Sequence, residues 1–178
     1  VAAQLAVAIR EIHTREELKQ LVIRDPLTGL YNRRHLGEVL KRELERSRRY
    51  GHSLSLLMLD LNNFREVNNR YGHLKGDEVL QELSQLLLEN VRASDLVFRY
   101  GGDEFLIIMP ETDSEAHKAI ARLKRAVEEW NDRSGLEVRL GLSIGVTTWS
   151  PGGDQSTSAE ELLGEADRLL YREKRERR

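Results

Sequence analysis

Apolar residues recur at helical spacing over residues 1–24, where Leu5, Ile9 and Ile12 form one group and Leu18, Leu21 and Val22 a second. Glu16 and Lys19 interrupt the seam, so a strict heptad fails. This helix reads either as a surface helix packed on the domain or as the end of a coiled coil arriving from an upstream module. The run Asp25-Pro26-Leu27-Thr28-Gly29-Leu30-Tyr31-Asn32 then breaks the pattern. Pro26 disfavours helix at Asp25, Gly29 suits a turn, and Asn32 suits a helix N-cap. The domain boundary falls here: a linker helix over 1–24, a single domain over 25–178.

Within the domain, Leu36, Val39, Leu40 and Leu44 stripe a helix over 33–49. Residues 53–60 (SLSLLMLD) are almost continuously apolar, as in a buried strand. A short helix is predicted over 64–71, closed by Gly72, and a longer one over 77–91. Residues 95–100 and 104–109 read as strands joined around Gly101-Gly102, a hairpin signal. Residues 113–130 place Ala116, Ala119, Ile120, Leu123, Val127 and Trp130 on one helical face. Over 138–146 the apolar residues Val138, Leu140, Leu142, Ile144 and Val146 alternate strictly with the rest. The opposite face holds Gly141, Ser143 and Gly145, so something packs closely there. A last helix covers 159–174. The order predicts an antiparallel-containing sheet with helices on one face, nearest to the ferredoxin-like split unit.

Composition narrows the function classes. The chain has 178 residues, 39% of them hydrophobic, enough for one domain with a core. Cysteine is absent, which excludes disulfides, thiolate metal sites and cysteine nucleophiles. No apolar stretch of ~18 residues is present, so nothing is predicted to span a membrane. The chain begins without Met and is expected to be a piece of a longer protein. The net charge of −2 argues against a nucleic-acid binder relying on overall positive charge. That total hides a partition. The helix over 33–49 carries a net +4 and the last eight residues a net +3, so the remainder must carry −9.

Part of that deficit is a set of candidate ligands. Asp60 ends a buried strand, and Asp103 and Glu104 follow the two glycines of the hairpin. If the strands are neighbours, three carboxylates converge at one sheet edge and repel one another. A divalent cation removes that cost, and oxygen donors of this type suit Mg²⁺ shared with substrate phosphates. Read from spacing alone, ordinary strand-end acids paired with Arg remain the alternative. A turn without side chains at Gly101-Gly102 lets a ligand approach the backbone.

Six segments carry a resemblance. The run Arg99-Tyr100-Gly101-Gly102-Asp103-Glu104-Phe105 looks like the signature of the GGDEF family, the diguanylate cyclases. Residues 25–34 (DPLTGLYNRR) resemble the family's DxLTGLxNRR, and residues 59–69 (LDLNNFREVNN) its LDxDxFKxxND. Residues 72–77 (GHLKGD) match GHxxGD, and Ser143-Ile144-Gly145-Val146 match SIGV. Ala166-Asp167 with Tyr171 and Lys174 match the closing ADxxxYxxK. Each motif is weak alone; six in order are specific.

The resemblance implies an α+β fold: a polymerase-palm or ferredoxin-like sandwich with a central, mostly antiparallel sheet flanked by helices. It implies a nucleotidyltransferase that condenses two GTP molecules into cyclic di-GMP, with Mg²⁺ as cofactor and Mn²⁺ as substitute. Two half-sites face each other, so a homodimer is implied, driven by an upstream sensor domain. A cytoplasmic location follows from the substrate, whatever anchors the parent protein. No nucleic-acid partner and no membrane contact by this segment are expected. By position, Asp60, Asp103 and the backbone carbonyl of Leu61 would hold metal. Glu104 would hold a second ion or support deprotonation of the 3′-hydroxyl, and these two roles stay open. Asn68 and Asp77 would read guanine, a carboxylate accepting from the N1–H and N2–H edge. The backbone at Asn63, Phe64 and Arg65 would meet phosphate at a helix start, beside Gly101 and Gly102. Lys174 and Arg178 would meet the outer phosphates. Arg92 and Asp95, at the offset of the family's RxxD motif, would bind the product as inhibitor; Arg suits guanine O6 and N7. Departures are Asn62 and Asn69 in place of Asp and Arg65 in place of Lys. His73 is left out of the metal set. The rival reading is a catalytically silent receptor for GTP or cyclic di-GMP.

Overall fold

The computed structural model describes residues 1–176. Its elements, in chain order, are α1 (Ala2–Ile23), β1 (Tyr31–Asn32), α2 (Arg33–Tyr50), β2 (Leu54–Asn62), α3 (Phe64–Tyr71) and α4 (His73–Glu89). They continue with β3 (Leu96–Arg99), β4 (Glu104–Pro110), α5 (Glu115–Ser134), β5 (Gly141–Trp149) and α6 (Ala159–Glu176). The strands form one sheet in the order β1-β3-β4-β2-β5. Only the β1–β3 pairing is parallel; the other three are antiparallel. The α+β sandwich with a mostly antiparallel sheet is therefore the fold.

The central strand shows why the sequence reads as it does. Leu57, Leu59 and Leu61 of β2 pack with residues of α3, α4 and α5. Leu54, Leu56 and Met58, one step out of phase, pack with α2 and α6. Helices therefore cover both faces, not the one face expected. The unbroken apolar run of β2 reflects this double burial, since alternate side chains point to opposite faces. Its residues from Leu56 to Leu59 are at most 1% exposed. Each such Leu contributes roughly 1.5–3 kcal/mol by leaving water.

Several boundaries move for identifiable reasons. The strand β1 is not predicted, because two residues carry no periodicity. Helix α4 begins at His73 rather than at residue 77, so the GHLKGD segment is its first turn. β5 begins at Gly141, although Val138 and Leu140 are buried. The Leu140 backbone is bonded by the Asn131 amide of α5, which donates to Leu140 O at 2.8 Å and accepts from its N–H at 2.9 Å. Side-chain pairing thus replaces the ladder there. On β5, a Cβ at Gly145 would lie 2.2 Å from Ala166 O and 2.3 Å from Leu170 N. The close packing expected at this glycine is the backbone of α6.

Every described side chain of α1 from Ala2 to Gln20 is exposed, so this helix does not lie on the domain. It is joined through Asn32, whose amide donates to Val22 O at 2.7 Å while its oxygen caps α2 at His35 N. Among the described residues, no helix is long and apolar enough to cross a membrane.

Candidate active site

The register of the sheet assembles the acids. Asp60 of β2 lies directly opposite Glu104 of β4 and, on its other side, opposite Ser143 of β5. Side chains directly opposite on one face sit within interaction distance. Asp103 precedes Glu104 in the hairpin and is tied to β2 by the Leu61 N–H, which donates to Asp103 O at 3.1 Å. The convergence expected from the sequence is present.

Lys174 completes the group. The close seat of α6 on Gly145 brings its last turn over this sheet edge, and Lys174 Nζ donates to Asp60 Oδ2 at 2.8 Å. Glu173 fixes the same turn: its carboxylate accepts from Ile144 N on β5 and from Lys124 of α5, both at 2.6 Å. Lys174, with Arg99 near Asp103, stands against Asp60, Asp103, Glu104 and, near Glu104, Asp167, which leaves negative charge in excess. Burial, then the Asp60 charge, pushes the Asp103 carboxyl above its ordinary value. Burial, then Asp60 and Asp103, does the same to Glu104, with Asp167 adding to it. These are carboxylate oxygens whose charge a hard divalent cation would compensate, so the donor set fits Mg²⁺ chemistry. Among the described residues no ready-made cage of three acidic or histidine ligands exists.

Beside the acids lies a cleft of about 340 Å³ lined by Phe64, Arg65, Asn68, His73, Asp77, Leu80, Arg99, Gly102 and Asp103. It brings Asn68 and Asp77, assigned to guanine, together with Phe64, Arg65 and Gly102, assigned to phosphate, and with Asp103; Asn63, Gly101 and Lys174 do not line it. His73 lies in its wall although sequence reasoning set it aside. A second cleft of about 340 Å³ opens on the other side of the acids, against Glu104, Asp167, Tyr171 and Lys174. A cleft of about 740 Å³ between α4 and α5, lined in part by Glu82, Glu129 and Trp130, contains none of these groups. Size alone does not select the site.

Glycines shape both ends of the cleft. A Cβ on Gly76 would fall 1.8 Å from Asn68 Oδ1, so Gly76 is what allows the Asn68 amide its place. A Cβ on Gly101 would fall 2.7 Å from Glu104 Oε2, a reason internal to the protein. At Gly102 a Cβ would meet nothing within 4 Å, and this residue faces the cleft, so its smallness serves an incoming group. At the phosphate turn, Asn63 adopts the left-handed region at φ 68°. Its side chain donates to Arg139 O at 2.9 Å and does not cap α3. Of the first α3 amides, Glu66 N donates to Asn63 O at 3.0 Å.

Four assigned residues differ from the rest. Leu61 is 3% exposed and its side chain lies in the core, so only its backbone can meet a ligand. Arg178 lies outside the described residues. Arg92 and Asp95 are together but closed on each other. The Arg92 guanidinium donates to Asp95 Oδ1 at 3.1 Å, to Pro110 O at 3.0 Å and to Thr112, while Arg92 N donates to Asp95 Oδ2 at 2.8 Å. At Asn62, Oδ1 accepts from Ser143 Oγ at 3.0 Å and Nδ2 is buried without a partner, so this oxygen is engaged within the sheet.

Comparison with known proteins identifies the family. The model of the diguanylate cyclase GGDEF domain matches residues 22–178. The diguanylate cyclase DosC of Escherichia coli K12 is 39% identical over 176 residues, 97% of this chain and 37% of that protein. The chain thus spans little more than a third of that curated relative. Among solved structures, the diguanylate cyclase SiaD of Pseudomonas aeruginosa, in complex with its activator SiaC, is 36% identical with a TM-score of 0.78, over 98% of this chain and 67% of that one. The coiled coil and GGDEF domain of DgcB from Caulobacter crescentus, in complex with c-di-GMP, is 27% identical with a TM-score of 0.79, over 98% of this chain and 94% of that one.

Proposed function

The chain belongs to the GGDEF diguanylate cyclase family, and from that premise we propose that it condenses two GTP molecules into cyclic di-GMP. Each 3′-hydroxyl attacks the α-phosphorus of the other nucleotide, two P–O bonds form, and two pyrophosphates leave. The observation that carries this reading is the Asp60–Glu104 cross-strand pair, with Asp103 and Lys174 beside it, at the mouth of the Asn68–Asp77 cleft.

Within this reading, Asn68 and Asp77 bind the guanine edge and the α3 amides meet phosphate. Asp60, Asp103 and the Leu61 carbonyl hold Mg²⁺, with Mn²⁺ as substitute. When bound, the ion neutralises phosphate charge and lowers the barrier to attack at phosphorus. Glu104 holds a second ion or supports deprotonation of the 3′-hydroxyl. Lys174, with Arg178, takes charge on the outer phosphates once Asp60 turns to metal. The reaction needs two such sites face to face, so the active form is a homodimer under an upstream sensor, in the cytoplasm where GTP is. Product inhibition at Arg92 and Asp95 requires the guanidinium to exchange Asp95, Pro110 O and Thr112 for guanine. The test is incubation of the purified, demonstrably dimeric chain with GTP and Mg²⁺, the product identified by mass. Cyclic di-GMP is expected; its absence overturns the enzyme reading in favour of a receptor module.

A further inference from the structure

Arg99 ends β3 immediately before the turn that carries the acids. Its Nη1 donates to both Asp25 oxygens, at 3.3 and 3.1 Å. Its Nε donates to Gly101 O at 3.2 Å and its Nη2 to Gly102 O at 3.0 Å. One planar fork therefore holds a carboxylate on one side and two consecutive turn carbonyls on the other. Neither lysine nor any neutral side chain offers donors in that layout. The pair is well shielded, with the Arg99 side chain 16% and the Asp25 side chain 17% exposed.

Asp25 is itself held. Its carboxylate accepts from Thr28 N at 2.9 Å and Thr28 Oγ1 at 2.7 Å, and its N–H donates to Leu30 O at 2.8 Å. It lies between the end of α1 and β1. The adjacent Arg24 bridges to Tyr31 and stacks its guanidinium 3.8 Å above that ring. The parallel register sets Asn32, which grips α1 at Val22 O and caps α2, opposite Arg99 itself. The turn that bears Asp103 and Glu104 is thus bonded, through one side chain, to the junction where α1 enters the domain.

We propose that Asp25 and Arg99 are a positioning pair that holds the Gly101–Gly102 turn, and with it Asp103 and Glu104, in register with Asp60. The pair does not act on substrate. It rests on the catalytic reading given above, and it makes the α1 junction a place from which the placement of the acids can be altered. A displacement of about 1 Å in such a group costs on the order of a hundredfold in rate, so a clamp at this turn is felt in turnover before it is felt in folding.

The variants Arg99→Lys and Asp25→Asn test this in the whole chain, with amide hydrogen exchange, thermal melting and GTP turnover measured together. Tyr100 N and Gly101 N both donate to Glu104 O, at 2.8 and 3.1 Å, and report on the turn directly. Exchange at these two amides is expected to rise at least about tenfold in Arg99→Lys and less in Asp25→Asn, the local opening being cheaper than global unfolding. Turnover number is expected to fall about tenfold or more, with KM for GTP changed less than about threefold. Because Arg99 also lines the cleft, loss of a substrate contact would instead raise KM at unchanged turnover number and leave Asp25→Asn silent; that result overturns the proposal. Unchanged exchange in both variants overturns it too. Should Arg99→Lys fail to fold, Asp25→Asn alone decides by the same readings. A wild-type chain that makes no cyclic di-GMP, with exchange raised in both variants, overturns the catalytic reading and supports the clamp.

Discussion

Two of the places where this domain brings an acid and a base together are built in opposite senses. At Arg92 and Asp95 the charges balance: the Asp95 side chain is fully buried and takes two bonds from Arg92, whose guanidinium also meets Pro110 O and Thr112. At the end of β2 they do not balance. Lys174 meets Asp60, while burial and the Asp60 charge raise the proton affinity of both Asp103 and Glu104. The first arrangement lowers the free energy of the fold as it stands. The second holds an excess of negative charge that only an added cation or a proton offsets, and such a cost is characteristic of sites arranged for chemistry. The contrast separates two motifs that look equally charged in the sequence.

The sharpest way to break the contrast is Glu104→Gln. Turnover is expected to fall by roughly 10²–10⁴-fold, the range for a group in proton transfer. Because the change removes one of the repelling charges, melting temperature without metal is expected to hold or rise, with circular dichroism unchanged. A variant that loses activity only because it unfolds would place Glu104 among the structural residues.

Lys174→Met removes the cation that meets Asp60. A fall in turnover of roughly a hundredfold is expected, as for loss of a charge that positions reacting phosphate. Steady-state kinetics check this, and activity above a tenth of wild type would remove Lys174 from the site.

Arg92→Ala works in the other direction. It is expected to leave turnover in the absence of product unchanged and to raise the product concentration needed for inhibition. It also strips Asp95 of its guanidinium partner, so stability is expected to fall by about 1 kcal/mol. Denaturant unfolding and inhibition curves read the two effects apart. Unchanged inhibition would leave this pair purely structural.

The smallest effect is on pH dependence. Asp103 and Glu104 have native proton affinities above their ordinary values of 3.8 and 4.5, so the native state holds more protons than the unfolded chain between those values and the raised ones. Stability without metal is therefore expected to fall as pH rises through that window, and Mg²⁺ to restore it above the window. Asp25, held below 3.8 by Thr28 and Arg99 against the effect of burial, has the opposite sign: its contribution is lost as pH falls through its native value. Melting curves from pH 4 to 7 with and without Mg²⁺ check this, and a slope that Glu104→Gln leaves unaltered would contradict it.

Much of the fold is legible along the chain where one rule governs a segment. The stripe Leu36, Val39, Leu40 and Leu44 is buried on α2 as the helical period requires, and Asn32 caps that helix. The Gly145 face of β5 does receive a close neighbour. Errors arise where partners far away in sequence decide the outcome. Leu140 leaves the strand pattern because Asn131 satisfies its backbone. Helices on one face are expected from element order, but β2 packs on both faces because its alternate side chains meet two separate sets of helices. For the site, strand ends and the hairpin mark the three acids along the chain, while the task of Arg99 is not legible there. A lone Arg beside two glycines gives no sign that its acceptors are their carbonyls.

By itself the sequence determined which residues are chemically able to act, because carboxylate, amide and ammonium groups are local properties and their order along the chain marks the family. It also determined the helices and strands whose periodicity is strong. Only the tertiary structure decided that Asp60 faces Glu104, that α6 rests on Gly145 and so delivers Lys174, and that Arg99 joins the acid-bearing turn to Asp25. The reason is physical: charge–charge energies and hydrogen bonds fall off over a few ångströms, and separations of that size between residues 74 or 114 positions apart are set by packing, not by spacing along the chain.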